Sequence, residues 1–281
     1  MRAILLLLTA ALGWAEEVYV KTVDGVFVPA VYRKPQGNGP FPAVLMLHGG
    51  VGGGGFPAAK NFASGRVPDA LIQRGYAVLS SDYRRYHFGE DETQDAIAAY
   101  RHLESLPFVD KKRIAVLGSS HGGYLVLLMA TRIRPAAVLS LAGSADIEAT
   151  FYDLAQKARR KITSYDQWRA ALLEGGGPFN EVPLELAWRF GDRRELFRDI
   201  SPIHHLDKFS SPVLFLVGGK DNLRFTGKAF VDAMQAKGKP ALYSEHEGMP
   251  HGFYMGREEN PPKQFVDALQ VMLEFLDKHV K

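Results

Sequence analysis

Six short apolar runs, at residues 41–48, 76–82, 113–118, 136–143, 212–219 and 241–245, are almost free of polar interruptions. Runs of that length predict strands buried on both faces. Between them, apolar residues return every three or four positions: Ile97, Tyr100 and Leu103 in one segment, Phe230, Ala233 and Met234 in another, and Phe265, Leu269, Met272 and Leu276 in the last. This is the spacing of helices with one buried stripe. Strand alternating with helix predicts an α/β fold, a mostly parallel central sheet flanked by helices, with ligands bound at the carboxyl ends of its strands. Upstream, EVYVKTV and VFVPAVYRK flank Asp24-Gly25, a dipeptide that readily supplies the positive φ angles of a tight turn, so an antiparallel hairpin is expected there. One stretch breaks the alternation. Residues 145–201 lie between two predicted strands and carry Phe151, Tyr152, Trp168, Phe179 and Trp188 around the flexible EGGGPF. A helical cap over the site is the reading taken; an elaborated crossover with its aromatics in the core is the alternative.

Composition narrows the class. Of 281 residues, 46% are hydrophobic and 23% charged, which suits a soluble globular chain built around one large core. The net charge of +3 is scattered, and its longest basic block, Lys157 to Lys161, reads as a solvated helix face, so no nucleic-acid partner is expected. The first 15 residues hold one early charge at Arg2, an apolar run over residues 3–12, and small residues at Gly13 and Ala15. That pattern predicts a signal peptide, 1–15, followed by a single domain, 16–281, in a secreted or periplasmic protein. The run is short of the roughly 20 residues that span a bilayer, so no stable membrane insertion is expected after cleavage. With no cysteine, the chain has no disulfide framework, thiolate metal site or cysteine nucleophile.

The chemistry concentrates in VLGSSHGGY, Val116 to Tyr124. GSSHG fits G-x-S-x-G with Ser120 at the centre, between a predicted strand and a predicted helix. A turn that sharp collides with side chains two positions away on either side, and glycine relieves the collision. A serine hydroxyl needs a base, and the base an orienting carboxylate, in the chain order serine, acid, histidine. Asp221 follows the strand at 212–219, and His251 lies in the loop between the last strand and last helix. Asp192 falls inside the insertion and follows no strand. His246 ends its strand too early to reach back. His204 and His205 are adjacent and point apart, so no metal site is expected from them, and Asp82 precedes the nucleophile and is expected to tie down loops. For the developing oxyanion, HGG at 48–50 offers glycine backbone N–H groups, with Gly50 and His121 as the expected donors. The following VGGGGF lacks the Lys-Ser/Thr ending of a phosphate loop and reads as a loop edge.

With LMLHGG, SSDYR, VLGSSHGGY, SPIHHLDKFSSPVLFLVGGKD and EGMPHGF in order from residue 41 onward, the sequence resembles α/β-hydrolases of the prolyl-oligopeptidase type and the dienelactone-hydrolase-like group. The resemblance implies an α/β-hydrolase fold with Ser120 as nucleophile, Asp221 as acid, His251 as base, and Gly50 and His121 as oxyanion donors. Two departures shape the expected substrate. The N-terminal propeller of the oligopeptidases does not fit in the 25 residues at 16–40, and the cysteine of dienelactone hydrolases is absent. The expectation is therefore an exported serine hydrolase that cleaves carboxylic esters through an acyl-enzyme, without metal or organic cofactor. Trp168 and Trp188 are expected to contact an apolar or aromatic part of the substrate. An exopeptidase or amidase on short peptides, anchored by Glu174, Glu181, Glu185 or one of several arginines of the insertion, is the alternative. A catalytically silent binding protein would require a missing triad member.

Overall fold

The computed structural model describes residues 15–50, 55–84, 88–162, 164–174, 178–255 and 260–281. The expected signal peptide lies outside these except for Ala15, where the first strand begins. In chain order the elements are β1 (Ala15–Lys21), β2 (Phe27–Arg33), β3 (Phe41–Leu47), α1 (Gly55–Phe62), α2 (Arg66–Gln73), β4 (Ala77–Ser81), α3 (Glu90–Ser105), β5 (Val109–Ser119), α4 (His121–Met129) and β6 (Ala137–Leu141). Then follow α5 (Ile147–Lys161), α6 (Tyr165–Glu174), α7 (Pro178–Phe190), α8 (Arg194–Asp199), β7 (Val213–Gly218), α9 (Arg224–Ala236), β8 (Ala241–His246) and α10 (Lys263–Val280).

The strands form one sheet in the order β1-β2-β4-β3-β5-β6-β7-β8. β1 pairs antiparallel with β2 and β2 antiparallel with β4, while every other pair is parallel. Side chains alternate between faces along a strand, yet every residue of β4, β6 and β7 is buried, so both faces of the sheet centre are covered. α3 and α4 pack on each other and on β3 and β5, while α10 reaches across β5 to β8. This is an α/β-hydrolase fold with an N-terminal antiparallel hairpin. The four helices α5 to α8 occupy the expected insertion between β6 and β7. Phe151, Leu186 and Phe197 of these helices are buried in the core, and part of α5 and α7 faces the cavity described below.

Register puts the strand ends together. Leu47 pairs with Gly118, Ser119 with Leu141, and Leu141 with Leu216. The loops that follow β3, β5, β6 and β7 therefore leave the sheet at one edge, where the topology places a ligand.

Two local differences from the sequence reading have clear causes. β5 begins at Val109, four residues before the expected start, because Asp110, Lys111 and Lys112 interrupt the apolar pattern; pairing with β3 jumps from Phe41–Val109 to Ala43–Ile114 across the irregularity. The hairpin turn is longer than a two-residue one. Lys21 pairs with Phe27, and the intervening loop closes through the Thr22 N–H to the Val26 carbonyl, with Gly25 at φ +84°. Asp24 is used as an ion-pair partner: Arg84 Nη1 donates to it at 2.6 Å, and Arg84 Nη2 donates to Asp95 at 2.6 Å.

Asp95 is wholly buried and also accepts the Arg84 backbone N–H at 2.9 Å. Removing the guanidinium leaves that carboxylate buried without its cation, so Arg84→Met is expected to lower the unfolding free energy by about 3 kcal/mol. Urea denaturation measures this. A loss below about 0.5 kcal/mol, the scale of an ordinary surface substitution, would show that the pair carries no such weight.

Candidate active site

Ser120 sits between β5 and α4 with φ +55° and ψ −115°, a conformation that side chains rarely adopt. Its backbone is held from outside the turn: the Ser120 N–H donates to the Leu141 carbonyl at 2.7 Å, and the Ser120 carbonyl accepts the Tyr124 N–H at 3.0 Å. The flanking glycines are steric requirements. A Cβ on Gly118 would lie 2.0 Å from the Gly122 carbonyl oxygen, and one on Gly122 would lie 2.1 Å from that of Leu47.

Three predicted side chains meet at this turn. His251 Nε2 lies 2.9 Å from Ser120 Oγ, and His251 Nδ1 lies 2.5 Å from Asp221 Oδ2. Asp221 is buried, and its other oxygen accepts the Leu223 N–H at 2.9 Å, which fixes the carboxylate plane. The imidazole is partly open to solvent, its side chain 38% exposed. The sequence competitors are engaged elsewhere. Asp192 is exposed beside Arg159 at 3.5 Å. His246 bonds Ser244 at 3.1 Å, and burial holds its pKa below the ordinary imidazole value. His204 meets Glu148 and His205 the Asp199 carbonyl. Asp82 bonds His48 Nε2 at 3.1 Å. Among the described residues, no cluster of histidine and carboxylate side chains could hold a metal ion.

The loop after β3 packs directly against the serine. A Cβ on Gly49 would lie 3.1 Å from Ser120 Cβ, and Gly50 takes φ +93°. Tyr83, stacked on the His48 ring at 4.6 Å, holds this loop with its hydroxyl 2.8 Å from the His48 carbonyl and 3.2 Å from that of Gly50. Among the described residues, the backbone N–H groups of Gly50 and His121 have no hydrogen-bond acceptor. The His121 side chain turns away from the serine: its Nε2 donates to Glu92 at 2.7 Å, both groups being buried, and Glu92 also accepts the Gly89 N–H at 2.8 Å.

Ser120 and His251 open into a cavity of about 190 Å³ whose remaining walls are Phe88, His121, Tyr124, Ser144, Ile147, Phe151, Val182 and Leu223. Trp168 and Trp188 are not among them. They stack on each other at 5.4 Å and line a separate cavity of about 400 Å³ that touches neither Ser120 nor His251. The expectation that they contact the substrate is corrected on this geometry. On a helix, residue 188 lies about 200° around from residue 186; Leu186 is buried, and Trp188 is 51% exposed. The size of a tryptophan says nothing of the direction its helix turns it. Phe88, Tyr124, Ile147 and Val182 are wall residues through tertiary placement alone, which no local pattern signals. The expected anchors Glu174 and Glu181 have side chains outside the described residues, as do residues 51–54 of VGGGGF. Glu185 is buried and bonds the Phe88 N–H at 3.0 Å.

Burial pushes the Glu185 carboxyl above its ordinary pKa, and the nearby Glu92 adds to the rise. For an acid so shifted, the stabilising contribution is complete below the ordinary carboxyl range and is lost as pH rises through the raised value. Glu185→Gln is therefore expected to melt with wild type near pH 4 and above it at pH 8. Melting curves at both pH values test this, and a variant less stable than wild type at pH 8 would mean that the charge is better compensated than its burial implies.

Comparison with known proteins bears on the fold. The family model for the alpha/beta hydrolase fold matches residues 44–255. The uncharacterised peptidase YtmA of Bacillus subtilis is 29% identical over 210 residues, covering 70% of each chain. The acylaminoacyl peptidase of Pyrococcus horikoshii superposes with a TM-score of 0.73 at 17% identity, over 97% of this chain and 43% of that one. An esterase of Pyrobaculum calidifontis superposes with a TM-score of 0.70 at 18% identity, over 97% of this chain and 86% of that one. The chain spans only 26% to 32% of the plant acylamino-acid-releasing enzymes and the bacterial dipeptidyl aminopeptidase that it also matches. The chain belongs to the alpha/beta hydrolase fold family.

Proposed function

We propose that the chain hydrolyses carboxylic esters through an acyl-enzyme on Ser120, and that, on the apolar run of its first residues, it is exported. The observation that carries the catalytic reading is the continuous chain Ser120 Oγ, His251, Asp221, at 2.9 and 2.5 Å, opening into an apolar cavity. His251 Nε2 takes the hydroxyl proton as Ser120 Oγ attacks the ester carbonyl, and Asp221 stabilises the imidazolium and fixes its tautomer. The negative oxygen of the tetrahedral intermediate is received by the backbone N–H groups of His121 and Gly50, each contributing on the order of 2.7–4 kcal/mol. His251 then returns the proton to the leaving alcohol. Water repeats the sequence to release the acid and restore the serine.

Cleavage of short peptides, the second reading, uses the same relay and draws support from relatives named as peptidases. The cavity favours the ester. Its described walls offer no carboxylate, lysine or arginine to bind a peptide terminus. They offer instead a volume close to the roughly 150 Å³ cavity that holds benzene in an engineered protein core, so an aromatic or short branched acyl group is the expected occupant.

Asp221→Asn is expected to lower kcat on p-nitrophenyl esters about 10⁴-fold, while Asp192→Asn changes it less than twofold. A fluorophosphonate is expected to label Ser120 and leave Ser119 free. Catalytic efficiency should be higher on p-nitrophenyl benzoate than on aminoacyl p-nitroanilides. A harmless Asp221→Asn or labelling at Ser119 would sink the relay, and faster anilide cleavage would move the enzyme to the peptidase reading.

A further inference from the structure

Phe88 forms one wall of the Ser120 cavity, and the structure ties its position to the cap. Its ring is buried, stacked on Tyr124 at 4.9 Å and set edge-on to the His121 ring at 4.8 Å. The backbone on its far side is Gly89, at φ +102°, where the chain enters α3. Glycine at such an angle has many alternatives, so a ring attached beside it is not fixed by local geometry alone. Glu92 and Thr93 hold Gly89 from the core side through its N–H and its carbonyl.

From the other side, α7 of the cap grips Phe88 itself. Glu185 Oε1 accepts the Phe88 N–H at 3.0 Å, Arg189 Nη1 donates to the Phe88 carbonyl at 3.1 Å, and the same arginine nitrogen lies 3.4 Å from Glu185. Four residues apart, the two side chains share one face of the helix. Val182, one turn earlier on that face, lines the cavity. Both polar groups of a single residue are thus held by one helix of the insertion. The carboxylate doing so is 1% exposed, and its second oxygen, like the Tyr124 hydroxyl, is buried with no hydrogen-bond partner among the described residues. Burying a carboxylate with one oxygen unsatisfied is costly, which argues against a role in stability alone.

We infer that Glu185 and Arg189 are positioning residues that set the width of the acyl pocket by fixing Phe88, so that the cap selects single-ring acyl groups over larger ones. This rests on the reading that the cavity receives the acyl group of an ester. The two residues touch neither the substrate nor the reacting atoms; they act through the Phe88 backbone. When the grip is released, the Phe88 ring can withdraw, a benzoyl group loses packing and a two-ring group gains room.

The test is the ratio of kcat/KM for p-nitrophenyl benzoate to that for p-nitrophenyl 2-naphthoate, together with amide hydrogen exchange at Phe88. Glu185→Ala is expected to lower the ratio about three- to tenfold, the scale of one lost hydrogen bond, mainly through KM, and to speed exchange at the Phe88 N–H. Glu185→Gln keeps an acceptor oxygen and is expected to retain both the ratio and the slow exchange, which a charge effect would not. Arg189→Met, which spares the N–H acceptor, is expected to lower the ratio about two- to threefold and serves if Glu185→Ala does not fold. Folded alanine and methionine variants with the wild-type ratio would overturn the inference, as would a glutamine variant as relaxed as the alanine one. An enzyme that cleaves no ester would instead fail the functional reading, and the exchange rate would then decide the clamp: slow exchange in the alanine variant overturns it.

Discussion

Everything at the site depends on how closely backbones approach where β5 turns into α4. The carbonyl of Leu47 at the end of β3 and the start of α4 are packed so tightly that a Cβ on Gly122 would stand 2.1 Å from the oxygen, and a Cβ on Gly143, after β6, would stand 2.3 Å from the Gly123 carbonyl carbon. Three strand ends therefore converge on the first turn of one helix. That convergence places the His48–Gly50 loop on one side of Ser120 and the Leu141 carbonyl, which accepts the serine N–H, on the other. It also keeps the serine in a left-handed conformation at a cost of order 1–3 kcal/mol. Helix α4, every residue of which is buried, is the anchor that makes the strain sustainable.

The loops around this turn have little regular structure, and buried polar groups take its place. Arg84 joins the hairpin at Asp24 to Asp95 on α3. Glu92, three residues earlier on α3, bonds both His121 and Gly89. Tyr83 holds two carbonyls of the loop after β3, and burial pushes its hydroxyl pKa well above the ordinary value, so the phenol stays a hydrogen-bond donor. Such groups are expensive to desolvate, and apolar replacements often fold as well or better. Their hydrogen bonds give the expense a purpose: each one fixes a backbone atom, of Arg84, Gly89, His48 or Gly50, that packing alone would leave loose.

What the sequence made legible follows from how many constraints each residue satisfies. The inner parallel strands β3, β4, β6 and β7 read clearly because both faces are buried and few polar residues enter them. Ser120, Asp221 and His251 read clearly because chain order, strand ends and flanking glycines coincide. The start of β5 was hidden because Lys111 and Lys112 lie in an exposed, irregular part of the strand, and the short helices α1 and α2 lack a repeated stripe long enough to recognise. The pocket walls were hidden for a deeper reason. On α7 the inward face reads Val182, Glu185, Leu186, Arg189, so two charged residues occupy positions an apolar stripe would fill, while the outward Trp188 looks like core. The face a helix presents is decided by what it packs on, and here it packs on a backbone that needs a donor and an acceptor.

The chemistry and the choice of substrate are consequently built from different parts of the chain. The hydrogen-bonded groups around the reacting atoms come from loops at the ends of β3, β5, β7 and β8, which the sheet register locks together. Among the described residues, the insertion adds no atom to that set. It contributes Ile147, Phe151 and Val182 to the cavity wall and reaches the rest of the pocket indirectly, through Phe88. A change on α5 or α7 can therefore alter what fits the cavity without touching the groups that make the 2.9 and 2.5 Å contacts between serine, histidine and aspartate. A change at the strand ends cannot be so contained, since each strand end there supports its neighbours.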